Sequence, residues 1–143
     1  MFKNFRAFTL IEILVTIVIL AILAGITIVA LNPGQNIDDA NDVRRKSDVS
    51  TVLNAVWQYA VANSGDFPAS ITASSQEISN TAANICAVLV PTYIAKLPSD
   101  PTTGSFTDCS SYATGYSINI DATGKRITVT ATLSDSSSYT QSR

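Results

Sequence analysis

The chain has 143 residues, which suits one modest domain, and only 14% of them are charged, against about a quarter in ordinary soluble domains. The net charge of −2 argues against a nucleic-acid-binding domain built on a basic face. The sequence contains no histidine, which excludes Ser-His-Asp and Cys-His catalysis and histidine-based zinc sites, and its two cysteines cannot form a Cys₄ metal site. Composition therefore favours a chain without catalysis, cofactor, metal or specific nucleic-acid partner.

The first predicted element is an apolar helix that runs from Phe8 to Leu31 and carries a single charge. Its 24 residues would extend roughly 36 Å, against about 30 Å for the hydrocarbon core of a bilayer. Gly25 is expected to loosen this helix, and Asn32-Pro33-Gly34 to interrupt it. The alternative is a cleaved secretory signal, but the apolar run is too long and no A-x-A site follows it. The sequence therefore favours a membrane span.

Glu12 is the one charge of this segment, and a carboxylate that enters hydrocarbon costs up to a few kcal/mol unless it has a partner. One interpretation places Glu12 at the level of the lipid headgroups, where the positive end of the helix favours it. The other begins with a cut between Ala7 and Phe8, which leaves a free amine on Phe8. That amine would lie four residues from Glu12, on the same helix face, and the two charges could neutralise each other between neighbouring helices.

The run Arg6-Ala7-Phe8-Thr9-Leu10-Ile11-Glu12, after a short basic leader, resembles the prepilin cleavage and methylation motif of type IV pilins and pseudopilins. The resemblance implies that a prepilin peptidase removes residues 1–7 and methylates the amine of Phe8. It also implies that Glu12 recruits the next subunit and sets its register. The sequence departs from the family pattern at Ala7, where glycine is usual.

A second helical pattern runs from about Gln35 to Ala62. Apolar residues recur at helical spacing along one face of it, namely Ile37, Ala40, Val49, Val52, Leu53, Val56 and Ala60. The basic run Arg44-Arg45-Lys46 follows three aspartates by one turn, which favours a solvated face or intersubunit salt bridges over a binding patch. The resemblance implies that residues 8–34 form a transmembrane and filament-core helix, and that residues 35–63 continue it as an amphipathic helix.

Charges on the two sides of the span do not fix its orientation. Lys3 and Arg6 precede the span, while the basic run at residues 44–46 follows within about 15 residues of its end. The placement of the C-terminal part outside the cytoplasm therefore rests on the resemblance.

Residues 64–143 are expected to form a small globular head. The turn residues Ser64 to Pro68 stop the second helix, and residues 69–84 have no strong period and predict mainly loop. A short helix is predicted over residues 84–90, where Pro91 limits it.

The clearest pattern in this part of the chain is an antiparallel hairpin. Residues 116–120 and 127–133 alternate between apolar and polar on either side of a turn. Two strands alone are marginal, so their apolar face is expected to pack on the stripe from Val49 to Ala60. The polar tail from Ser134 to Arg143 is expected to fray.

Cys86 and Cys109 lie 23 positions apart in the part of the chain that the resemblance places outside the cytoplasm. An oxidising compartment favours a disulfide between them, with two buried reduced thiols as the alternative. Asp100, Asp108 and Asp121 offer oxygen ligands that suit calcium, but they form no dense cluster in the sequence. No metal site is therefore predicted.

These observations predict an α+β, type IV pilin-like fold, in which a long N-terminal helix, interrupted near Asn32 to Gly34, precedes a small head with a C-terminal antiparallel hairpin or small sheet. The resemblance implies a structural subunit of a helical type IV pilus filament, a homopolymer. The precursor would reside in the bacterial inner membrane, and separate proteins, a prepilin peptidase and an assembly machinery, would process it and build the extracellular or periplasmic filament.

Two alternatives remain open at this point. The major pseudopilin of a type II secretion system fits the same motif. A single-pass, membrane-anchored extracytoplasmic binding module belongs to a different class, because its span serves as an anchor alone. The binding module predicts that Glu12→Ala leaves function intact, whereas the filament predicts that assembly is lost.

Overall fold

The computed structural model describes residues 8–143, apart from the side chains of residues 29–31. The elements in chain order are α1 (Leu10–Leu31), α2 (Pro33–Ala62), β1 (Gln76–Ser79), α3 (Cys86–Leu89), β2 (Ser105–Asp108), β3 (Ser111–Ile120), β4 (Ile127–Thr132) and β5 (Ser138–Ser142). A long apolar helix, a second helix and an antiparallel sheet confirm the predicted α+β, pilin-like layout. The chain divides into two compact units, with the boundary inside α2 between Asp38 and Asp39.

In the N-terminal unit, α1 begins directly after Thr9, which is its N-cap. The Thr9 side-chain hydroxyl and carbonyl accept hydrogen bonds from the Glu12 N–H at 3.3 and 3.1 Å. These bonds satisfy a donor that would otherwise lack a partner at the start of the helix. The large apolar side chains of α1 from Leu10 to Ile28 are 48–83% exposed, so nothing in this unit covers them.

The interruption between α1 and α2 lies at Asn32, whose backbone is left-handed with φ 37° and ψ 69°. Asparagine tolerates this conformation, and the Asn32 carbonyl starts the next helix by accepting the Asn36 N–H at 3.3 Å. The predicted interruption near Asn32 to Gly34 is therefore confirmed, but Gly25, Pro33 and Gly34 are not the breaking residues, because all three lie within helices. One glycine costs a helix only about 1 kcal/mol, and proline at a first helical position lacks an N–H that is not needed there.

In the second unit, α2 contributes one buried face to the core. Its buried residues are Arg45, Val49, Val52, Leu53, Ala55, Val56 and Ala60. Ile37 and Ala40, which the sequence pattern placed on the same stripe, are exposed. The helix ends at Ala62, as predicted, and Gly65 with φ 96° closes the turn by donating its N–H to the Ala60 carbonyl at 2.8 Å.

The sheet is organised around β3. β1 pairs with β3 on one side, and Ala113 of β3 pairs with both Ser79 of β1 and Ser105 of β2, so β2 lies on the opposite side. β4 pairs with the C-terminal part of β3, and β5 pairs with the far side of β4, all antiparallel. The predicted hairpin is confirmed as β3 and β4, and its apolar residues share one core with the buried face of α2.

Three strands were not anticipated from the sequence. Two of them, β1 and β2, have four residues each, too few to show a period of two. The prediction that the tail frays was wrong, because β5 pairs with β4 over its whole length. Hydroxyl groups join the two strands, with Thr130 and Thr140 Oγ1 atoms 3.3 Å apart and Thr128 Oγ1 2.9 Å from Ser142 Oγ.

Candidate functional site

The start of α1 holds the residues that the sequence singled out for processing and assembly. Phe8 lies before the Thr9 cap, outside the helix, and is 75% exposed. The expectation that Phe8 and Glu12 share a helix face therefore does not follow from this structure, because that geometry applies to two helical residues. Ala7 lies outside the described residues, so the cut between Ala7 and Phe8 and the methylation of Phe8 stay predictions.

The Glu12 carboxylate lies in the first turn of α1 and is exposed. No hydrogen bond or ion pair to this carboxylate is found within residues 8–143. Every neighbouring large side chain on α1 is apolar, so a partner for Glu12 in an apolar environment has to come from outside the described chain.

Among the described residues, one helix is long and apolar enough to span a membrane, over Leu10–Ile28. None of this window is buried in the chain. The full α1 rises about 33 Å, which matches the hydrocarbon thickness of about 30 Å. An apolar surface of this size requires lipid or other apolar helices around it.

The head folds as one compact unit with the part of α2 from Asp39 onward, and this unit contains a buried ion cluster centred on Arg45, which is 5% exposed. Its Nε atom donates to Asp100 Oδ2 at 2.6 Å, and its Nη1 atom donates to Asp42 Oδ1 at 2.7 Å and to Ser134 Oγ at 2.9 Å. Its Nη2 atom donates to Thr102 Oγ1 at 2.8 Å. The guanidinium thereby joins α2, the loop before β2 and the turn after β4.

Hydrogen bonds keep both Arg45 and Asp100 charged. Burial alone would raise the pKa of Asp100, but hydrogen bonds from Arg45 and from the N–H groups of Thr103 and Thr102 hold that pKa well below its usual range. The hydrogen bond to Asp100 outweighs burial and raises the pKa of Arg45. At neutral pH the pair is therefore ionised and fully engaged, which suits a structural role rather than proton transfer.

The Asp100 loop packs tightly against β3 through two glycines. A Cβ atom on Gly104 would lie 2.5 Å from the Asp100 nitrogen and from the Thr114 oxygen, so the backbones approach too closely for any side chain. Gly115 has φ 76°, and a Cβ there would lie 2.9 Å from the Asp100 Cβ. The Asp100 N–H donates to the Thr114 carbonyl at 2.8 Å, which fixes the carboxylate beneath Arg45.

The prediction that Arg44-Arg45-Lys46 is a solvated face is wrong for Arg45. The sequence held a signal that was missed: Arg45 precedes Val49, Val52 and Val56 at helical spacing, on the stripe that faces the core. Its partner Asp100 is 55 positions away, so no local pattern links them. Arg44 fits the prediction, because its side chain is 59% exposed and its Nε atom lies 3.8 Å from Asp48 Oδ2.

The structure does not bring the three loop aspartates into one site. Asp100 binds Arg45, whereas Asp108 accepts hydrogen bonds from Ser110 and Ser111, and Asp121 from Thr123, Lys125 and Arg126. Hydroxyl and backbone donors lower the pKa of both loop carboxyls, led by Ser110 at Asp108 and by Thr123 at Asp121. Across the described residues, no three acidic, cysteine or histidine side chains form a group able to hold a metal.

A disulfide joins Cys86 and Cys109, with the Cα atoms 5.3 Å apart. Cys86 is buried at the start of α3, and Cys109 lies in the turn between β2 and β3. The bond therefore attaches α3 to the turn between β2 and β3.

In a comparison with known protein families, residues 2–28 match the prokaryotic N-terminal methylation motif. This motif is the prepilin signal of type IV pilins and pseudopilins, and the matched range includes Phe8, the Thr9 cap and Glu12. Comparisons with curated proteins and with solved structures give no match. The family match confirms the resemblance at the N-terminus and points to a structural, secreted, pilin-like or pseudopilin-like subunit that is anchored in the inner membrane before assembly.

Proposed function

We propose that this chain, which carries the prepilin signal at residues 2–28, is a structural subunit of a type IV pilus-like filament. The observation that carries the proposal is α1, an apolar helix that is exposed from Leu10 to Ile28 and begins with one unpartnered carboxylate among the described residues. Residues 1–7 would be the leader, residues 8–34 the filament-core helix, residues 35–63 its amphipathic continuation and residues 64–143 the head.

Processing would leave the start of α1 intact and add a charge to it. The Thr9 cap lies after the proposed cut between Ala7 and Phe8, so the mature chain keeps the hydrogen bonds from Thr9 to the Glu12 N–H. The new amine of Phe8 would be positive and lie beside the positive end of the helix, which is unfavourable. A carboxylate from a neighbouring subunit relieves this repulsion, and Glu12 is the residue of α1 that supplies one.

Assembly would move α1 from lipid to the core of a filament. Both environments are apolar, so this transfer gains little from the hydrophobic effect, and packing together with polar contacts must direct it. An unpaired charge at the centre of a membrane-spanning helix costs about 2.5–3.5 kcal/mol, which is an upper value for Glu12 in the first turn of α1. Pairing of Glu12 with the Phe8 amine of the next subunit would recover part of this cost in one axial register.

The test is to replace Glu12 and measure both assembly and membrane retention. Glu12→Gln keeps the size of the side chain and removes its charge, which leaves the Phe8 amine of the next subunit without a partner. We therefore expect filament yield to fall by about a hundredfold, which corresponds to the cost of that unpaired charge. The protein should remain in the membrane fraction. The matched control is Asp66→Asn, an exposed carboxylate of the head, and it should assemble normally. Normal filaments from Glu12→Gln would refute the proposal.

A pseudopilin of a type II secretion system is the nearest alternative within the same class, because the same signal occurs in both groups. It makes the same prediction for Glu12. Immunogold labelling of intact and permeabilised cells separates the two, since a pilus extends outside the cell and a pseudopilus remains in the periplasm.

An anchored binding module is the second candidate, and one feature of the head favours it. A groove of about 360 Å³ is lined by Asn54, Trp57, Gln58, Val61 and Arg143. The Arg143 guanidinium lies 5.6 Å from the centre of the Trp57 ring. If the chain is such a module, Trp57→Ala should abolish function while Glu12→Gln leaves it intact, the reverse of what the filament predicts.

A further inference from the structure

The outer side of β5 is an open sheet edge. Within residues 8–143 no strand pairs with that side. Ile127 of β4 and Arg143 exchange both backbone hydrogen bonds at 3.0 Å, and in an antiparallel pair such bonded positions recur at every second residue. The N–H and C=O groups of Ser138, Thr140 and Ser142 therefore point away from β4.

The composition of β5 leaves this edge unprotected. Natural sheets usually protect an edge strand with charges, proline or a bulge. The strand reads Ser-Tyr-Thr-Gln-Ser, pairs with β4 without a register shift, and exposes the side chains of Ser138, Thr140 and Ser142. Serine and threonine side chains do not obstruct the approach of another strand.

The opposite edge of the sheet is protected by the chain itself. β1 has four residues, and its register shifts between Glu77 and Ser79. The Glu77 carbonyl accepts the Ala83 N–H at 3.0 Å, so a backbone acceptor that would serve a further strand is already occupied. β2 forms a third edge among the described strands, but it also has four residues and a register shift, between Phe106 and Asp108, so β5 offers the longest regular run of free backbone groups.

We propose that β5 pairs antiparallel with β5 of a second copy of this chain, about a twofold axis at Thr140. Because β1 and β2 have four residues each and both shift register against β3, β5 is the edge strand with a regular register, and pairing β5 with β5 gives an isologous contact. Thr140 would lie opposite its own copy and Ser138 opposite Ser142, with about six backbone hydrogen bonds between the strands.

The side chains that would meet also favour pairing with a second copy of this chain. The facing hydroxyls would repeat the pairs that already join β5 to β4, at 2.9 and 3.3 Å. No like charges would face each other within the strands. Arg143 of one copy would lie opposite Ser137 and diagonal to Asp135 of the other, which brings opposite charges together.

This contact goes beyond the proposed filament and does not depend on it. Neighbours along a helical filament contact each other through two different surfaces, whereas a twofold contact uses one surface twice. Pairing through β5 would therefore join subunits laterally, from two filaments or within the membrane.

The register is tested by cysteine cross-linking of the full chain in isolated membranes. The two native cysteines are joined to each other and do not interfere. Thr140→Cys should form a disulfide-linked homodimer on mild oxidation, because opposite Cα atoms in a bonded antiparallel pair are about 5.5 Å apart. Ser138→Cys alone should cross-link at least tenfold less, since its two copies would be about 14 Å apart along the strands.

Mixing Ser138→Cys with Ser142→Cys should restore the cross-link. Equal cross-linking at residues 138 and 140, no dimer at Thr140→Cys, or cross-linking to a different protein would each overturn the proposal.

A second variant tests whether backbone hydrogen bonds hold the contact. Thr140→Pro removes an N–H that points away from β4, so the head should keep its thermal stability while the cross-link between Ser138→Cys and Ser142→Cys falls at least tenfold. Gln141→Pro is the matched control, because it removes an N–H that β4 uses, and it should lower the melting temperature. An unchanged cross-link in the Thr140→Pro background would contradict the pairing.

Discussion

The N-terminal helix and the head satisfy their side chains in opposite ways. The large apolar residues of α1 are 48–83% exposed, whereas Val49, Val56 and Ile118 in the head are fully buried. The charges differ in the same sense: Glu12 has no partner within residues 8–143, while Arg45 is held by two carboxylates and two hydroxyls. The head therefore has a hydrophobic core of its own, whereas α1 requires an environment that lipid or neighbouring subunits must supply.

The contrast also separates the roles of the two prominent charges. A charge that is paired inside one chain stabilises that chain, and a charge that lacks an internal partner is available to a second chain. Variants of the head should change its stability, and Glu12 variants should change assembly while the head remains folded.

The largest effect on the head is expected from Arg45→Ala. It leaves the buried Asp100 carboxylate without its partner, so the free energy of unfolding should fall by about 3–5 kcal/mol. Chemical denaturation of the full chain in detergent, followed by Trp57 fluorescence, measures this change. Arg44→Ala is the matched control and should cost less than about 1 kcal/mol, because its pair with Asp48 is exposed. Equal losses in the two variants would argue against a structural role for the Arg45 cluster.

A somewhat smaller effect is expected from the double variant Cys86→Ser, Cys109→Ser. The disulfide closes a loop of 23 residues, and its removal should lower the free energy of unfolding by about 3 kcal/mol. Denaturation of the wild-type chain with and without a reductant gives an independent value for the same bond. If neither treatment changes stability, the disulfide does not hold the segment around α3 in place.

The smallest effect is the response of the head to acid. The folded-state pKa of Asp100 lies below its value in the unfolded chain, so this stabilisation is present above about pH 4 and is lost as the pH falls. Between pH 7 and pH 3 we expect a loss of roughly 1–2 kcal/mol from this group. Asp100→Asn should be less stable at pH 7 and should show a flatter pH profile. Parallel profiles for the two proteins would mean that Asp100 is not the titrating group.

Local patterns in the sequence predicted the parts of the fold that repeat with a regular period. α1 was predicted from its long apolar run, α2 from apolar residues at helical spacing, and the β3–β4 hairpin from two alternating segments around a turn, and the structure confirms all three. β5 was missed because its partner groups are backbone atoms and hydroxyls of β4, which leave no apolar pattern in the tail. Arg45 was misplaced because its charge outweighed its position on the buried stripe of α2.

The site at the N-terminus was recognised from its motif, and the structure adds the N-cap of α1. Thr9 was visible in the sequence, but its role at the first turn of α1 depends on the backbone geometry there. The sequence predicted an interruption at Asn32-Pro33-Gly34, but it favoured proline and glycine as the breaking residues, since these are the usual residues at such points. Asparagine was the residue that adopted the left-handed conformation.

The central claim is that the chain is processed at Phe8 and assembled into filaments through α1. The most direct test is the intact mass of this protein in filaments sheared from its native cells. We expect the mass of a chain that begins at methylated Phe8, less two hydrogens for the Cys86–Cys109 disulfide. A mass that includes residues 1–7, or absence from the sheared fraction with retention in the membrane, would contradict it.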